Sequence, residues 1–202
     1  MSRGRSSVAA GVAILGIVLT AAAHAQAPAS KRDAESFTKK VAAMSDFGQH
    51  PSKQLHRTTI TERELNAYFV YDAGAGLPAG VASPFVSILG DGRLSGRATV
   101  DLDAVRKASN ATSVFDPRTY LRGQLPLTVT GVLTTANGSG RFALESAALA
   151  GVTIPKLVLQ EILGFYSRTS EHPQGISLDD PFELTAHIRE IQVGRGQAII
   201  VQ

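Results

Sequence analysis

The stretch Thr59–Phe69, TITERELNAYF, decides the fold because it contains a complete helix start ahead of a strand-rich region. Thr61 is a favourable N-cap, and Glu64 follows it by three positions, which is the spacing of a capping box. Ile60 before the cap and Leu65 after it have the positions of a hydrophobic staple. The stretch therefore predicts a short helix that begins at Thr61. A capping box shows where a helix begins and carries no chemistry of its own.

Residues 1–25 have the parts of a secretory signal peptide. Arg3 and Arg5 give a positive start, an apolar run follows over 8–23, and Ala23-His24-Ala25 has the A-x-A cleavage pattern. We expect cleavage after Ala25, with a mature chain that begins at Gln26 and has no membrane span. The alternative is that the apolar run remains as a membrane anchor. Loss of the two arginines lowers the formal net charge from +3 to +1.

The composition narrows the class of protein further. The chain has no cysteine, so an exported form has neither disulfides nor a lipid-anchoring cysteine, and its core alone must stabilise it. We expect a periplasmic or secreted protein. Basic residues form no runs and do not alternate with aromatic residues, which argues against nucleic-acid binding. We divide the chain into the signal peptide, an N-terminal lead and helix over 26–58, and a single α+β domain over 59–202.

From residue 84 the apolar period changes from helical to two, which is typical of strands with one buried face. Asp91-Gly92 and Asn137-Gly138 are strong two-residue hairpin signals. They predict antiparallel hairpins. The first arm of the second hairpin is expected to place on one face Leu125, Leu127, Val129 and Leu133. The second arm is expected to place on one face Phe142, Leu144 and Ala148.

A second helix is predicted over 155–168, PKLVLQEILGFYSR, with Pro155 in its first turn. Its apolar residues cover far more than one stripe, which predicts that the sheet embraces it or that it faces apolar groups on two sides. Two final strands are predicted, over 182–193 and over 197–202.

Motifs for catalysis are not visible in the sequence. The chain has no H-E-x-x-H, no G-x-S-x-G and no phosphate-binding glycine loop. The mature chain has four histidines without metal-binding spacing, namely His50, His56, His172 and His187. Asp101 and Asp103 share the polar face of a strand, where solvation is a simpler explanation than cation binding. We therefore predict no catalytic residue, metal or cofactor. An enzyme would need at least two of these groups to converge in one cleft: His56, His172, His187, Asp101 and Asp103.

Three stretches of the chain resemble small bacterial envelope proteins with half of a BPI-like, tubular lipid-binding (TULIP-type) fold. They are ITERELNAYF at 60–69, GRATVDLDAV at 96–105 and IREIQVGRGQAIIVQ at 188–202. In that group an ITE-x-E-x-N-x-Y helix start precedes the first hairpin, a strand ending like A-x-x-D-L-D follows, and a V-x-x-G-x-I-x-I hairpin closes the chain. The matching residues here are Ile60, Thr61, Glu62, Glu64, Asn66 and Tyr68, then Ala98, Asp101, Leu102 and Asp103, then Val193, Gly196, Ala198 and Ile200.

The resemblance implies an α+β fold in which a curved antiparallel sheet of about six strands wraps around a long apolar helix, with one or two short N-terminal helices. It also implies an apolar groove between sheet and helix that holds a lipid or another apolar molecule, without catalysis. Under this hypothesis the capped helix is a lid over one opening of the sheet, formed by Leu65, Tyr68 and Phe69. The expected groove lining is Leu127, Val129, Phe142, Leu144, Leu159, Ile162, Leu163, Phe165 and Tyr166.

Two other interpretations remain open at this level. The same apolar residues are equally consistent with an ordinary core that leaves no cavity. In that case the protein is a structural or interaction module of the cell envelope. It would then receive a partner protein at a strand edge or an apolar patch.

Overall fold

A computed structural model describes residues 29–77, 80–101, 103, 123–166, 175 and 177–202, with the backbone alone at 75, 161, 162, 165 and 166. Its helices are α1 (Lys31–Gln49), α2 (Glu62–Tyr71) and α3 (Lys156–Tyr166), with a 3₁₀ turn at Gly74–Gly76. Its strands are β1 (Arg57–Thr61), β2 (Val81–Gly90), β3 (Arg93–Asp101), β4 (Gln124–Ala136), β5 (Ser139–Leu149), β6 (Val152–Thr153), β7 (Phe182–Glu183), β8 (Glu190–Gly194) and β9 (Gln197–Val201).

The described strands form two antiparallel sheets. The larger has the order β2-β3-β4-β5-β6, with β7 also paired to β5, and the smaller has the order β1-β9-β8. The predicted α+β class with antiparallel hairpins is confirmed. The expected antiparallel sheet of about six strands is also present, and the two ends of the domain add a second sheet of three strands that the sequence did not predict.

Both predicted hairpin turns are present. Asp91 and Gly92 have φ of 52° and 77°, and Asn137 and Gly138 have φ of 51° and 80°. Positive φ at both central residues is the geometry of a type I′ turn, whose twist matches that of the flanking strands. These turns set the register of β2 with β3 and of β4 with β5.

The register gives the large sheet one apolar and one polar face. On the polar face, Arg93 forms a bidentate ion pair with Glu145 and Ser95 bonds to Thr130. Paired residues of antiparallel strands share a face. The pairing therefore places on the apolar face Val86, Ile88, Leu94, Gly96, Ala98, Val100, Leu125, Leu127, Val129, Gly131, Leu133, Phe142, Leu144, Ala147 and Leu149.

A bulge corrects one predicted position. The register between β4 and β5 shifts after the pair Thr130–Ser146, since the next pair is Gly131–Leu144. The extra residue, Glu145, reverses the alternation, so Ala147 joins the apolar face and is only 2% exposed. The prediction that Ala148 shares a face with Phe142 was therefore wrong.

The small sheet carries the best-defined core. Met44 of α1, Ile60 of β1 and Ile200 of β9 form a buried cluster, and it is extended by partly buried neighbours, namely Phe37, Leu65, Ile188 and Ile191. The cluster lies between α1 and the small sheet. The helix that precedes Thr59 therefore contributes to the core of the fold.

The predicted strand over 182–193 is interrupted. Only β7 and β8 are strands there, and a turn at 185–188 separates them, closed by a hydrogen bond from Ile188 N to Thr185 O at 3.1 Å. The described residues also do not show a long apolar helix inside a sheet. The helix α3 has 11 residues and lies beside β5, and residues 167 and 168 of the predicted helix are outside the described part of the chain.

Candidate functional site

The helix α2 seals the open edge of β2 with side chains. Asn66 accepts a hydrogen bond from Val86 N–H at 2.8 Å and donates one to the Val86 carbonyl at 2.8 Å. Glu62 accepts a bond from Ile88 N–H at 2.7 Å, and the Ile88 carbonyl accepts one from Gly196 N–H at 2.7 Å. These side chains replace a neighbouring strand, which satisfies backbone groups that would otherwise be exposed at a sheet edge.

The capping box is present and continues into an ion pair. Thr61 Oγ1 accepts from Glu64 N–H, and the Glu64 carboxylate accepts from Thr61 N–H at 2.9 Å. The same carboxylate accepts bonds from Lys40 Nζ at 2.7 Å and from Ser36 Oγ at 2.6 Å. Burial raises the pKa of Glu64. The bonds from Lys40, Ser36 and Thr61 lower it by more than burial raises it, and the resulting pKa is about 2.

A second ion pair joins the same two helices at the surface. Arg63 of α2 donates to Asp33 of α1 at 2.8 Å, and this bond, together with bonds from Ser30, lowers the pKa of Asp33 to about 2. The two pairs fix α2 against α1. The helix start identified in the sequence therefore builds the junction between α1, α2 and β2.

The outer edge of β8 is closed by the two hairpins. Gly92 N–H donates to the Val193 carbonyl and Gly138 N–H donates to the Arg189 carbonyl. Between them, Thr135 Oγ1 accepts from Ile191 N–H at 2.7 Å and donates to its carbonyl at 3.1 Å. The hairpin turns thus join the large sheet to the small one.

The predicted lid residues belong to α2, and its Tyr68 faces Phe37 of α1. Leu65 packs against the core cluster, and the Tyr68 ring lies 4.9 Å from the Phe37 ring and 6.0 Å from the Phe69 ring, measured between centroids. Tyr68 and Phe69 are half-buried. No observation tests whether these residues cover an opening, so their role as a lid stays a prediction.

The four predicted groove residues of the sheet do share its apolar face. Leu127 and Val129 on β4 and Phe142 and Leu144 on β5 are all half-buried. The Phe142 ring lies over Gly131, where an added Cβ would stand 2.5 Å from the ring. The described residues therefore leave part of this apolar face accessible.

An opening in the apolar face lies at Gly96, a residue that the sequence analysis did not single out. Gly96 is paired with Val86 on one side and with Val129 on the other. A Cβ built at Gly96 meets no heavy atom of the described residues within 4 Å. A glycine inside a strand is the sequence signal that marks such a position, because it weakens the strand unless something else needs the space.

The helix side of the predicted groove is described only in part. In α3, Leu159 is buried at 8% exposure and Leu163 is half-buried, whereas Leu157 is 71% exposed. The side chains of Ile162, Phe165 and Tyr166 lie outside the described residues. The helix is therefore apolar on its exposed side as well as on its buried side.

The groups named for an enzyme do not form a metal site within the described ranges. No cluster of three or more metal-binding side chains occurs there, and His172 lies outside them. His56 instead stacks on Phe47 with ring centroids 5.3 Å apart. None of the described helices is long and apolar enough to cross a membrane.

No protein-family model and no curated protein matches the chain. Among solved structures, it is similar to one described as the crystal structure of lipopolysaccharide binding protein, with 16% sequence identity and a TM-score of 0.21. The similarity covers 72% of this chain and 40% of that protein, so the chain spans less than half of that protein's length. A likeness at this TM-score suggests a shared fold only weakly and carries no argument about function.

Proposed function

We propose that this chain binds a lipid or a similar apolar molecule on the apolar face of its large sheet, beside α3, without catalysing a reaction. The observation that supports this most is the opening at Gly96, which lies between Val86 and Val129 on an otherwise apolar face. An apolar molecule in this place would cover half-buried side chains that already form a continuous surface.

The energetics of such binding follow from apolar burial. Burial of apolar surface contributes about 25 cal/mol per Å², so an acyl chain that covers about 200 Å² gains about 5 kcal/mol before ordering costs. The polar groups at the edge of β2 are already satisfied by Asn66 and Glu62, so ligand binding does not have to compensate for them. An apolar face next to a satisfied β2 edge suits a ligand that offers few hydrogen bonds.

The proposal places the protein in the cell envelope. Its support is the signal-peptide pattern that ends at Ala25 and the absence of cysteine, which together fit an exported chain without a lipid anchor. Fractionation of cells that express the full chain, with N-terminal sequencing of the mature form, tests this point. An N-terminus at Gln26 in the periplasmic fraction is expected.

The test of the site fills the opening with an apolar side chain. We expect Gly96→Leu to reduce binding of a fluorescent fatty acid, while Ala143→Leu leaves it unchanged, because Ala143 is exposed on the opposite face. Both variants add similar apolar volume, so a difference in binding between them reflects the face of the sheet on which the leucine lies. If the wild type and Gly96→Leu bind the fatty acid with equal affinity, the ligand does not bind on this face.

The outer edge of β5 supports a second candidate function, which is docking of a partner protein. The outer edge of β5 is paired with β7 at Ser139–Gly140 and with β6 at Ala148–Leu149, but no described strand pairs with 141–146. An open edge of this kind accepts an extended segment of a partner protein by strand addition. An envelope interaction module would use this edge, and it would take up no lipid when vesicles are offered.

A further inference from the structure

An open cleft lies at the turn between β4 and β5, far from the apolar face at Gly96. The C-terminal end of α1, the Asn137-Gly138 turn and the segment 184–189 line it, and its volume is about 690 Å³. Gly138 lies nine positions after Val129, the residue paired with Gly96. Nine residues of extended strand span about 30 Å. A ligand in this cleft is therefore distinct from a ligand at Gly96.

The side chains of the cleft favour an anion. Its two charged or chargeable lining residues are His187 and Arg189, and Asn137 adds an amide, whereas none of the lining residues is acidic. Within the described ranges, no ion pair or side-chain hydrogen bond involves any of these three side chains. Arginine presents several N–H donors in a planar fork that matches the oxygens of phosphate and carboxylate.

Two adjacent residues that line the cleft have a left-handed backbone. Ala186 and His187 both have φ of 55°, although neither is glycine, asparagine or aspartate. Left-handed backbone is unfavourable for a residue with a Cβ, and strained residues of this type cluster at functional sites. The turn at 185–188 therefore holds Ala186, next to His187, in a conformation that alanine does not favour.

Buried contacts hold this strained turn in place. The Gln202 side chain is 4% exposed, and its Nε2 donates to the Ala186 carbonyl at 2.6 Å and to the Met44 carbonyl at 2.9 Å. Its Oε1 has no hydrogen-bond partner within the described part of the chain. Gly48 allows the close approach of α1, since a Cβ there would stand 2.6 Å from Ala186 Cα.

We propose that this cleft binds a phosphate group, with Arg189 and His187 as the donors that contact its oxygens and Asn137 at the rim. Two sources share this chemistry, namely free phosphate and the phosphate ester of a lipid headgroup. Leu184 and Ile188 also line the cleft, so a lipid headgroup would gain apolar contacts that free phosphate lacks.

The experiment titrates the mature protein with inorganic phosphate and, separately, with monomeric dihexanoyl phosphatidate, and follows backbone amide chemical shifts. Saturable shifts at Gly48, Gly138 and Ile188 are expected. Arg189→Gln should weaken binding about tenfold or more, because a charged hydrogen bond contributes about 1.5–3 kcal/mol. Arg141→Gln is the charge-matched control, since Arg141 is exposed on β5, and it should leave the affinity unchanged.

The relative affinities for the two probes distinguish free phosphate from a lipid headgroup as the ligand. Equal affinity for both probes supports free phosphate as the ligand, and tighter binding of the phosphatidate supports a headgroup. His187→Gln serves as a second variant, so that the result does not depend on Arg189 alone. Absence of saturable shifts for both probes, or an equal loss of affinity in Arg141→Gln, would overturn the proposal.

Discussion

Asn66 holds both backbone polar groups of Val86, with one 2.8 Å hydrogen bond to the N–H and another to the carbonyl. A single carboxamide therefore performs the pairing that a neighbouring strand residue performs elsewhere in the sheet. Asn66 is 6% exposed, and its Nδ2 also donates to the Glu62 carbonyl at 2.9 Å. The helix α2 is therefore part of the edge of the large sheet.

We expect Asn66→Ala to lower the free energy of unfolding by about 1–3 kcal/mol, because it leaves two half-buried backbone groups of Val86 unpaired. Gln54→Ala removes a carboxamide from an exposed loop residue and should change stability little. Urea denaturation of both variants measures the difference. An Asn66→Ala variant as stable as Gln54→Ala would show that water replaces the Asn66 bonds at no cost.

Glu64 should give the protein an acid-sensitive stability. Its pKa in the folded protein is about 2, below the ordinary 4.5, so folding favours the charged form. This contribution is present above about pH 4.5 and is lost as the pH falls towards about 2, and it amounts to about 1–3 kcal/mol at neutral pH. Glu64→Gln should lose most stability at pH 7 and approach the wild type at the acid end.

Denaturation curves collected between pH 7 and pH 2.5 measure this difference. Glu35→Gln removes a carboxylate from an exposed position on α1 and is the control for a change in net charge. A constant gap between Glu64→Gln and the wild type across the whole range would contradict the ion pair with Lys40.

Substitution by alanine should have opposite effects on stability at two glycines of the same face of the large sheet. Gly131→Ala places a Cβ 2.5 Å from both the Phe142 ring and the Ala143 carbonyl, so we expect a loss of about 1–3 kcal/mol. Gly96→Ala enters open space and should be neutral or stabilising by about 0.5 kcal/mol, since alanine restricts the unfolded chain. Thermal unfolding compares the pair. A Gly96→Ala variant as unstable as Gly131→Ala would mean that the opening at Gly96 is filled.

Relief of strain should be measurable at the turn at 185–188. Ala186 has φ of 55°, so Ala186→Gly removes a steric cost and should stabilise the protein by about 0.5–1 kcal/mol. Ala143→Gly, at a strand position without positive φ, should destabilise it by about 1 kcal/mol. Chemical denaturation measures both variants. Equal destabilisation by the two substitutions would show that the turn is not strained.

Local chemistry made part of the fold predictable. The capping box at Thr61 and the two type I′ turns depend on residues close in sequence, and all three are where the pattern placed them. The alternation in β4 likewise predicted which of its residues share a face. These signals are local, so they do not require knowledge of the partner strand.

The features that the sequence did not reveal depend on distant partners. The strand β1 is five residues long and pairs with β9 near the other end of the chain, so its short Thr58–Ile60 alternation was not recognised. The bulge at Glu145 changes a face without any glycine or proline as a signal. The turn around Ala186 has no turn-forming residue at its centre, and buried contacts from Gln202 and α1 hold it instead.

The candidate site also has features that the local sequence predicts and features that depend on distant partners. The alternation predicted one face for Leu127 and Val129 on the first arm and one for Phe142 and Leu144 on the second, and the structure brings the two faces together. The edge pairing by Asn66 and the opening at Gly96 depend on what approaches each position in space. The motif that opens the domain could therefore be found from sequence, but its contacts with β2 could not.

Native mass spectrometry of the mature protein, purified from a bacterial periplasm without detergent, tests the apolar-ligand proposal most directly. We expect an adduct of several hundred daltons that is extracted by organic solvent as a lipid and is reduced in Gly96→Leu but not in Ala143→Leu. A bare polypeptide mass that takes up nothing from lipid vesicles would contradict the proposal, and the open edge of β5 would then become the surface to study.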